Sequence, residues 1–144
     1  MASPGSEQSP TVRAARADDI TAVLALWAAA GAEPTHTDDP HSLGALLGHD
    51  PGALAVAEAD GTVVGTVIAA WDGWRGSVYR LAVAPGHRRQ GVAGVLLAHA
   101  EARLATLGAV RLQATVVATD APAVGFWGAT GWERQSARLR FVQG

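Results

Sequence analysis

Residues 87–104, HRRQGVAGVLLAHAEARL, constrain the fold more than any other stretch of this sequence. A basic cluster and two glycines stand where a long run of apolar residues at helical spacing begins. The first turn of a helix leaves backbone N–H groups without partners, and the helix dipole adds partial positive charge there. Small residues at that turn let an anion approach the backbone closely. The pattern therefore predicts a helix over residues 90–107 that binds an anion at its start.

The remaining periodicity predicts an alternation of strands and helices. Strands are expected at 11–16, in a hairpin that turns at Asp60-Gly61 within 53–71, at 77–83, at 110–117, and in one or two copies over 132–143. Helices are expected at 17–31, 42–52, 90–107 and 120–131. The order β-α-α-β-β-β-α-β-α-β-β indicates a single α/β domain over residues 11–144. Residues 1–10 are expected to form a disordered tail.

Composition excludes several classes of protein. The chain of 144 residues is 49% hydrophobic, which suffices for the core of one domain. No apolar run reaches the roughly 18 residues of a membrane helix, and the first ten residues lack the features of a secretory signal. Cysteine is absent and the five histidines lack metal-ligand spacing, so we expect neither a disulfide nor a metal site. We expect a cytoplasmic protein that binds neither membrane nor nucleic acid, since its pI is about 6.2.

Charge is divided unevenly between the two halves of the chain. Residues 1–72 hold ten acidic residues against two arginines, whereas residues 73–144 hold three acidic residues against nine arginines. Charges scattered over solvated surfaces would account for this division without any function. The alternative is that one half is suited to a cationic ligand and the other half to an anionic one.

Two motifs carry a resemblance to a known family. In LAVAPGHRRQGVAG, a strand is followed by Arg88, Gly91 and Ala93 in the pattern [RQ]-x-x-G-x-[GA]. Further along, DAPAVGFWGATGW follows the frame N-x-x-A-x-x-[LF]-Y-x-x-x-G-F from Asp120 to Trp132. With both motifs in order and a hairpin upstream, the sequence resembles the GNAT superfamily of acyl-CoA-dependent N-acyltransferases. A dinucleotide-binding fold is less compatible, because G-x-G-x-x-G is absent.

The resemblance implies a fold and a way of binding coenzyme A. The fold would be a mixed central sheet of six to seven strands flanked by about four helices. The diphosphate of coenzyme A would lie on the amides at the start of the 90–107 helix, and its pantetheine arm would pair with the fourth strand. The cofactor-binding residues implied are Leu81, Ala82, Val83, Arg88, Arg89, Gln90, Gly91, Val92, Ala93, Gly94, Asp120, Ala123, Phe126 and Trp127.

The resemblance also implies the reaction, which is transfer of an acetyl group from acetyl-CoA to a primary amine of a small molecule or a peptide or protein N-terminus. The backbone N–H of Val83 would polarise the thioester carbonyl. Trp127 stands where relatives carry a tyrosine acid, and Ser77 aligns where some carry a glutamate base. Tyr79 is therefore a candidate acid or base. An enzyme without an evident base is better matched to an amine of low pKa.

The acceptor is expected to lie against the polar loop between the first two helices, whose acidic residues suit a cationic amine. The candidate substrate-binding residues are Glu33, His36, Asp38, Asp39, Trp71 and Trp74. Other candidates for the base are Asp72, His41 and the titratable residues of that loop. Each loop residue is equally compatible with a solvated surface. The two tryptophans are predicted to wall the acceptor pocket or to form a homodimer contact, although residues at a hairpin end need no function.

A second hypothesis belongs to a different class. The chain would keep the fold and bind coenzyme A without turnover, as a sensor or interaction module. Trp127 and Ser77 are the residues that support it, because they replace groups with acid–base chemistry.

Overall fold

A computed structural model describes residues 10–144, so the predicted tail lies outside the described residues except for Pro10. The elements are β1 (Thr11–Ala14), α1 (Ile20–Ala29), α2 (Pro40–His49), β2 (Leu54–Ala59), β3 (Thr62–Trp71), β4 (Gly76–Val83), α3 (Val92–Leu107), β5 (Leu112–Ala114) and α4 (Ala121–Gly128). Short 3₁₀ helices lie at Ala17–Asp19 and Pro85–His87. The chain divides into two compact units, the first ending at Gln113 and the second running from Ala114 to Gly144.

The sheet has the strand order β1-β2-β3-β4-β5, and the pairs β1–β2, β2–β3 and β3–β4 are antiparallel. The predicted hairpin is confirmed, because Ala59 pairs with Thr62 across a two-residue turn. Asp60 and Gly61 both have positive φ, 52° and 75°. Such a turn matches the right-handed twist of the strands, and this sequence pair is favoured in it.

The core of the first unit lies where α1 and α3 pack on the middle strands. The largest fully buried side chains are Leu54, Leu96, Leu104, Val23, Val56, Val64, Val67 and Thr66. Gly65 of β3 allows α3 to approach, since a Cβ there would lie 2.8 Å from Leu96 Cδ1 and 2.9 Å from Val92 Cγ1. The close packing fixes the start of α3 against the sheet.

The predicted strands over residues 132–143 are wrong, and the sheet within residues 10–144 has five strands rather than six or seven. The segment alternates apolar and charged residues, but alternation makes a strand only when the backbone pairs with a neighbour and the apolar side is covered. Leu139 and Phe141 are instead 83% and 90% exposed. The predicted strand at 110–117 is also reduced, to Leu112–Ala114.

All four predicted helices are present, with shifted ends. The helix predicted at 42–52 begins earlier because Asp39 is its N-cap, and the Asp39 carboxylate accepts a 2.7 Å hydrogen bond from the Ser42 N–H. Among the described residues, no helix is both long and apolar enough to cross a bilayer.

Candidate functional site

The chain enters α3 through a loop with an unusual backbone. Arg89 and Gly91 both have positive φ, 65° and 81°, and Gly91 is the N-cap of the helix. A positive φ is uncommon for a residue other than glycine. Successive turns of this kind direct backbone N–H groups toward a common point, where they can bind an anion. We call the backbone from Arg89 to Gly94 the anion cradle.

The amides at the start of α3 are available to a ligand. The first intrahelical bond runs from Val95 N–H to the Gly91 carbonyl, at 3.2 Å. The N–H groups of Val92, Ala93 and Gly94 therefore precede the hydrogen-bonded part of the helix. A Cβ built on Gly91 or Gly94 meets no atom within 4 Å, so the space beside these amides is open. The anion cradle thus fits a phosphate or diphosphate group.

Arg88, which is exposed, ties this loop to the first helix. Its Nη2 donates to the carbonyl of Ala30, the C-cap of α1, at 2.9 Å. A guanidinium has five N–H donors, so one such bond leaves others for a ligand.

A bulge bends β4 midway along its length. Thr66 pairs with Ala82 and Ile68 pairs with Tyr79, so two residues of β4 stand opposite one residue of β3. Arg80, one of these two residues, has φ of 50°. A bulge of this kind interrupts the hydrogen-bond ladder and increases the local twist of the strand.

Beyond the bulge, the N–H of Val83 points away from β3. The neighbouring residue Ala84 donates to the Val64 carbonyl at 2.8 Å, and the direction of backbone groups alternates along a strand. On the other side of β4, the short strand β5 lies beside the beginning of β4. There the Gly76 N–H donates to the Arg111 carbonyl, directly before β5, at 3.1 Å. Three residues of β5 cannot pair with all eight residues of β4, so the edge at Val83 lies beyond the β5 strand.

The structure brings this edge next to the anion cradle. Val83 pairs with Gly65, and Gly65 lies against Val92 in the first turn of α3. The predicted pantetheine-binding strand and the predicted diphosphate-binding helix start are therefore adjacent, and residues 84–91 connect them.

The acidic residues of the α1–α2 loop (residues 30–39) have different environments. Asp38 forms an ion pair with Arg80 and accepts a hydrogen bond from the Thr35 N–H at 3.0 Å. Asp39 caps α2, and the hydrogen bond from the Ser42 N–H lowers its pKa. The side chains of Glu33 and His36 are exposed.

The aromatic candidates in β4 and around the β3–β4 turn differ in their exposure to solvent. Tyr79 is 50% exposed and precedes the bulge directly. Trp74 is exposed and carries the Arg75 guanidinium 4.1 Å from its ring centre, whereas Trp71 is partly buried. Asp72 accepts hydrogen bonds from the N–H groups of Arg75 and Trp74, which lower its pKa and close the turn.

The second unit holds the other predicted coenzyme A residues. Asp120 caps α4 by accepting from the Ala123 N–H at 3.1 Å. Trp127 is partly buried between two aromatic rings, with its centroid 5.7 Å from that of Phe126 and 4.8 Å from that of Trp132.

Comparison with known proteins decides the family. A model of the acetyltransferase (GNAT) family matches residues 20–132. This chain belongs to that family.

Two solved structures and one curated protein illustrate the relationship of this GNAT protein to others. It is 33% identical over 116 residues to an acetyltransferase of Pectobacterium atrosepticum, covering 81% of this chain and 82% of the relative. Ard1 from Thermoplasma volcanium has the same fold, with a TM-score of 0.77 at 19% identity over 86% of this chain and 82% of Ard1. Diaminobutyrate acetyltransferase from Paenibacillus lautus, solved with L-2,4-diaminobutyric acid and coenzyme A, is 27% identical, with a TM-score of 0.69, over 83% of this chain and 74% of that one.

Sequence reasoning missed the residues that shape the bulge of this GNAT protein. The Trp27 indole N–H donates to Thr66 Oγ1, and Thr66 Oγ1 donates to the Arg80 carbonyl, both at 2.8 Å. Trp27 and Thr66 sit in ordinary apolar patterns, which carry no sign of this contact. The bulge at Arg80 could have been suspected from the sequence. In VYRLAV, strict alternation breaks where the arginine is followed by consecutive apolar residues.

Residues 10–144 contain no group of three or more His, Cys, Asp or Glu side chains placed to hold a metal ion. The chemistry available from the described residues of this GNAT protein is that of backbone amides, arginines, carboxylates, histidines, hydroxyls and one tyrosine.

Proposed function

We propose that this chain transfers the acetyl group of acetyl-CoA to a primary amine, carried by a small molecule or by a peptide N-terminus. The observation that carries the proposal is the adjacency of the outward-facing N–H of Val83 to the anion cradle at the start of α3. A thioester substrate with a diphosphate tail would engage both.

Each part of this arrangement has a separate task. The anion cradle would bind the diphosphate through backbone amides and the helix dipole. The edge of β4 after the bulge would hydrogen-bond the pantetheine arm as an added strand does. The Val83 N–H would donate to the thioester carbonyl as negative charge develops there, a contribution of about 2.7–4 kcal/mol for one such donor.

The amine must lose its proton before it can attack. A lysine-type amine with a pKa of about 10.4 costs about 4 kcal/mol to neutralise near pH 7.4, whereas an α-amine near 7.8 costs less than about 1 kcal/mol. The carboxylates of Asp38, Asp39 and Asp72 are already engaged in structural hydrogen bonds. An acceptor of low pKa is therefore favoured. The relative that binds L-2,4-diaminobutyric acid supports a small diamine as one candidate.

The thiolate leaving group needs less assistance than the amine. A thiol of pKa about 8.5 gives a thiolate that departs without a proton donor. Trp127 in the tyrosine position is thus compatible with turnover, and solvent protonates the thiolate afterwards.

Release of free thiol from acetyl-CoA tests the proposal. The amines to be used are L-2,4-diaminobutyric acid, spermidine and a short peptide with an N-terminal alanine, with a reaction without amine as control. Amine-dependent thiol release and an acetylated product detected by mass spectrometry would support it. Tight acetyl-CoA binding without thiol release from any amine would favour a coenzyme A-binding module instead.

Substitution at Val83 tests the role of its backbone N–H. Val83→Pro removes that N–H on the edge that does not bond β3, where proline is tolerated, and it also fixes φ at about −65° and replaces the isopropyl group. We expect kcat to fall about 100-fold or more while acetyl-CoA still binds. Val83→Ala retains the N–H and is the matched control, with kcat expected within a few fold of the wild type. Equal activity of the two variants would exclude this N–H as the donor.

A further inference from the structure

Arg80 connects the bulge in β4 to the α1–α2 loop. Its backbone forms the bulge with φ of 50°. Its Nη2 donates to the Glu33 carbonyl at 2.9 Å and forms an ion pair with Asp38. The side chains of Arg80 and Asp38 are only 18% and 17% exposed, so the pair is partly shielded from solvent.

The other side of the bulge is fixed from the core. Thr66, which is fully buried, donates to the Arg80 carbonyl and accepts from the Trp27 indole N–H. The Arg80 guanidinium lies 5.2 Å from the centre of the Trp27 ring, within cation–π range. Residue 80 is therefore held at its carbonyl by β3 and at its side chain by the α1–α2 loop.

We propose that Arg80 is a positioning residue that holds the α1–α2 loop in place beside the reacting thioester, so that the acceptor amine meets it in one geometry. The inference rests on the proposed function, since it assigns this loop to the acceptor. The residue that bends β4, and so exposes the Val83 edge, also fixes the loop.

The ion pair changes which acidic group can recognise a cationic acceptor. Arg80 offsets the charge of Asp38, and Asp39 is committed to the start of α2. Glu33 has an exposed side chain, and its backbone carbonyl is held by Arg80. The Glu33 carboxylate is thus the group that Arg80 places for a cationic amine.

Arg80→Asn is the main test variant. Asparagine adopts positive φ readily, so the bulge is retained while the contacts to the loop are lost. We expect the KM for the best amine of the panel to rise about tenfold, with the Kd of acetyl-CoA within about twofold of the wild type. Arg80→Lys keeps the charge but cannot reproduce both contacts. Its amine KM should therefore lie between those of the wild type and Arg80→Asn.

Two comparisons separate positioning from general stabilisation. Asp38→Asn should raise the amine KM as well, and adding it to Arg80→Asn should cause little further loss, because the two residues act through one contact. Arg16→Gln, on the surface of the same unit, should leave KM unchanged. A lower Tm with an unchanged amine KM, or an equal loss of acetyl-CoA affinity, would overturn the proposal.

Hydrogen exchange tests positioning even if no amine in the panel is acetylated. We expect amides of residues 30–39 to exchange about tenfold faster in Arg80→Asn than in Arg16→Gln. Unchanged exchange would overturn the positioning role. Faster exchange without any acetylation would retain that role and reject the proposed function.

Discussion

The indole N–H of Trp27 donates a 2.8 Å hydrogen bond to the hydroxyl of Thr66, and both residues are buried. The same hydroxyl donates to the carbonyl of Arg80, so a single oxygen links α1 to the bulge in β4. The Thr66 hydroxyl, itself buried, thus gives a hydrogen-bond partner both to the buried Trp27 N–H and to the Arg80 carbonyl.

Thr66→Val removes that oxygen while nearly preserving the shape of the side chain. We expect the free energy of unfolding to fall by about 1–3 kcal/mol, since the Trp27 N–H and the Arg80 carbonyl lose their partner. Urea denaturation measures this loss. In a Trp27→Phe background, where the donor is already absent, Thr66→Val should lower the free energy of unfolding by a smaller amount. Equal costs in the two backgrounds would show that the link is not energetically coupled.

Arg13 and Asp19 give a pH-dependent contribution to stability. The pKa of Asp19 is lowered to about 2, first by the hydrogen bond from Arg13. Because the folded-state pKa lies below the unfolded one, the contribution is complete above about pH 4 and is lost as the pH falls through about 2. We expect Asp19→Asn to cost about 2 kcal/mol at pH 7 and progressively less below pH 4, measured by urea denaturation.

Asp18 provides the control for this experiment. Its side chain is 82% exposed and lies 3.7 Å from Arg16, so Asp18→Asn should change stability little at any pH. A loss in Asp19→Asn that stays constant down to pH 2 would contradict the assignment.

Arg88→Ala should weaken binding of coenzyme A more than binding of pantetheine, which lacks the diphosphate. We expect about a tenfold loss for coenzyme A, since hydrogen bonds to charged groups contribute roughly 1.5–3 kcal/mol. Titration calorimetry with both ligands measures the difference. Equal losses would show that Arg88 acts through its bond to Ala30 and not on the phosphates.

Trp127→Phe should leave turnover within about tenfold of the wild type, because only packing and one weak donor are lost. The pH–rate profile should rise with deprotonation of the amine and show no falling limb below about pH 9. Steady-state kinetics across pH provides the measurement. A falling limb that disappears in another single variant would reveal an enzyme acid, and Tyr79 would be the first residue to examine.

The sequence predicts the parts of the fold that depend on local chemistry. Asp60-Gly61 supplies positive φ for its turn, and Asp120 supplies an N-cap for α4. The glycine-containing start of α3 is likewise local, because Gly91 both caps the helix and leaves its amides accessible. These features need no knowledge of which strands pair.

Features that depend on pairing between distant segments could not be predicted in the same way. The bulge at Arg80 arises from the register between β3 and β4, which the sequence of neither strand specifies alone. The sequence predicts Asp38 as an acid available to a cationic amine, but in the folded chain Asp38 forms an ion pair with Arg80. The alternation around Leu139 and Phe141 predicted a strand, but pairing and burial decide whether one forms.

Titration calorimetry with acetyl-CoA tests the central claim, that the start of α3 binds the diphosphate of the acyl donor. Gly91→Glu places a carboxylate in the anion cradle, whereas Gly108→Glu places one at the far end of the same helix. Both glycines have positive φ, 81° and 107°, with no atom within 4 Å of an added Cβ, so the two variants carry comparable backbone strain. We expect Gly108→Glu to bind acetyl-CoA as the wild type does and Gly91→Glu to show no binding. Unchanged affinity in a folded Gly91→Glu protein would contradict the account.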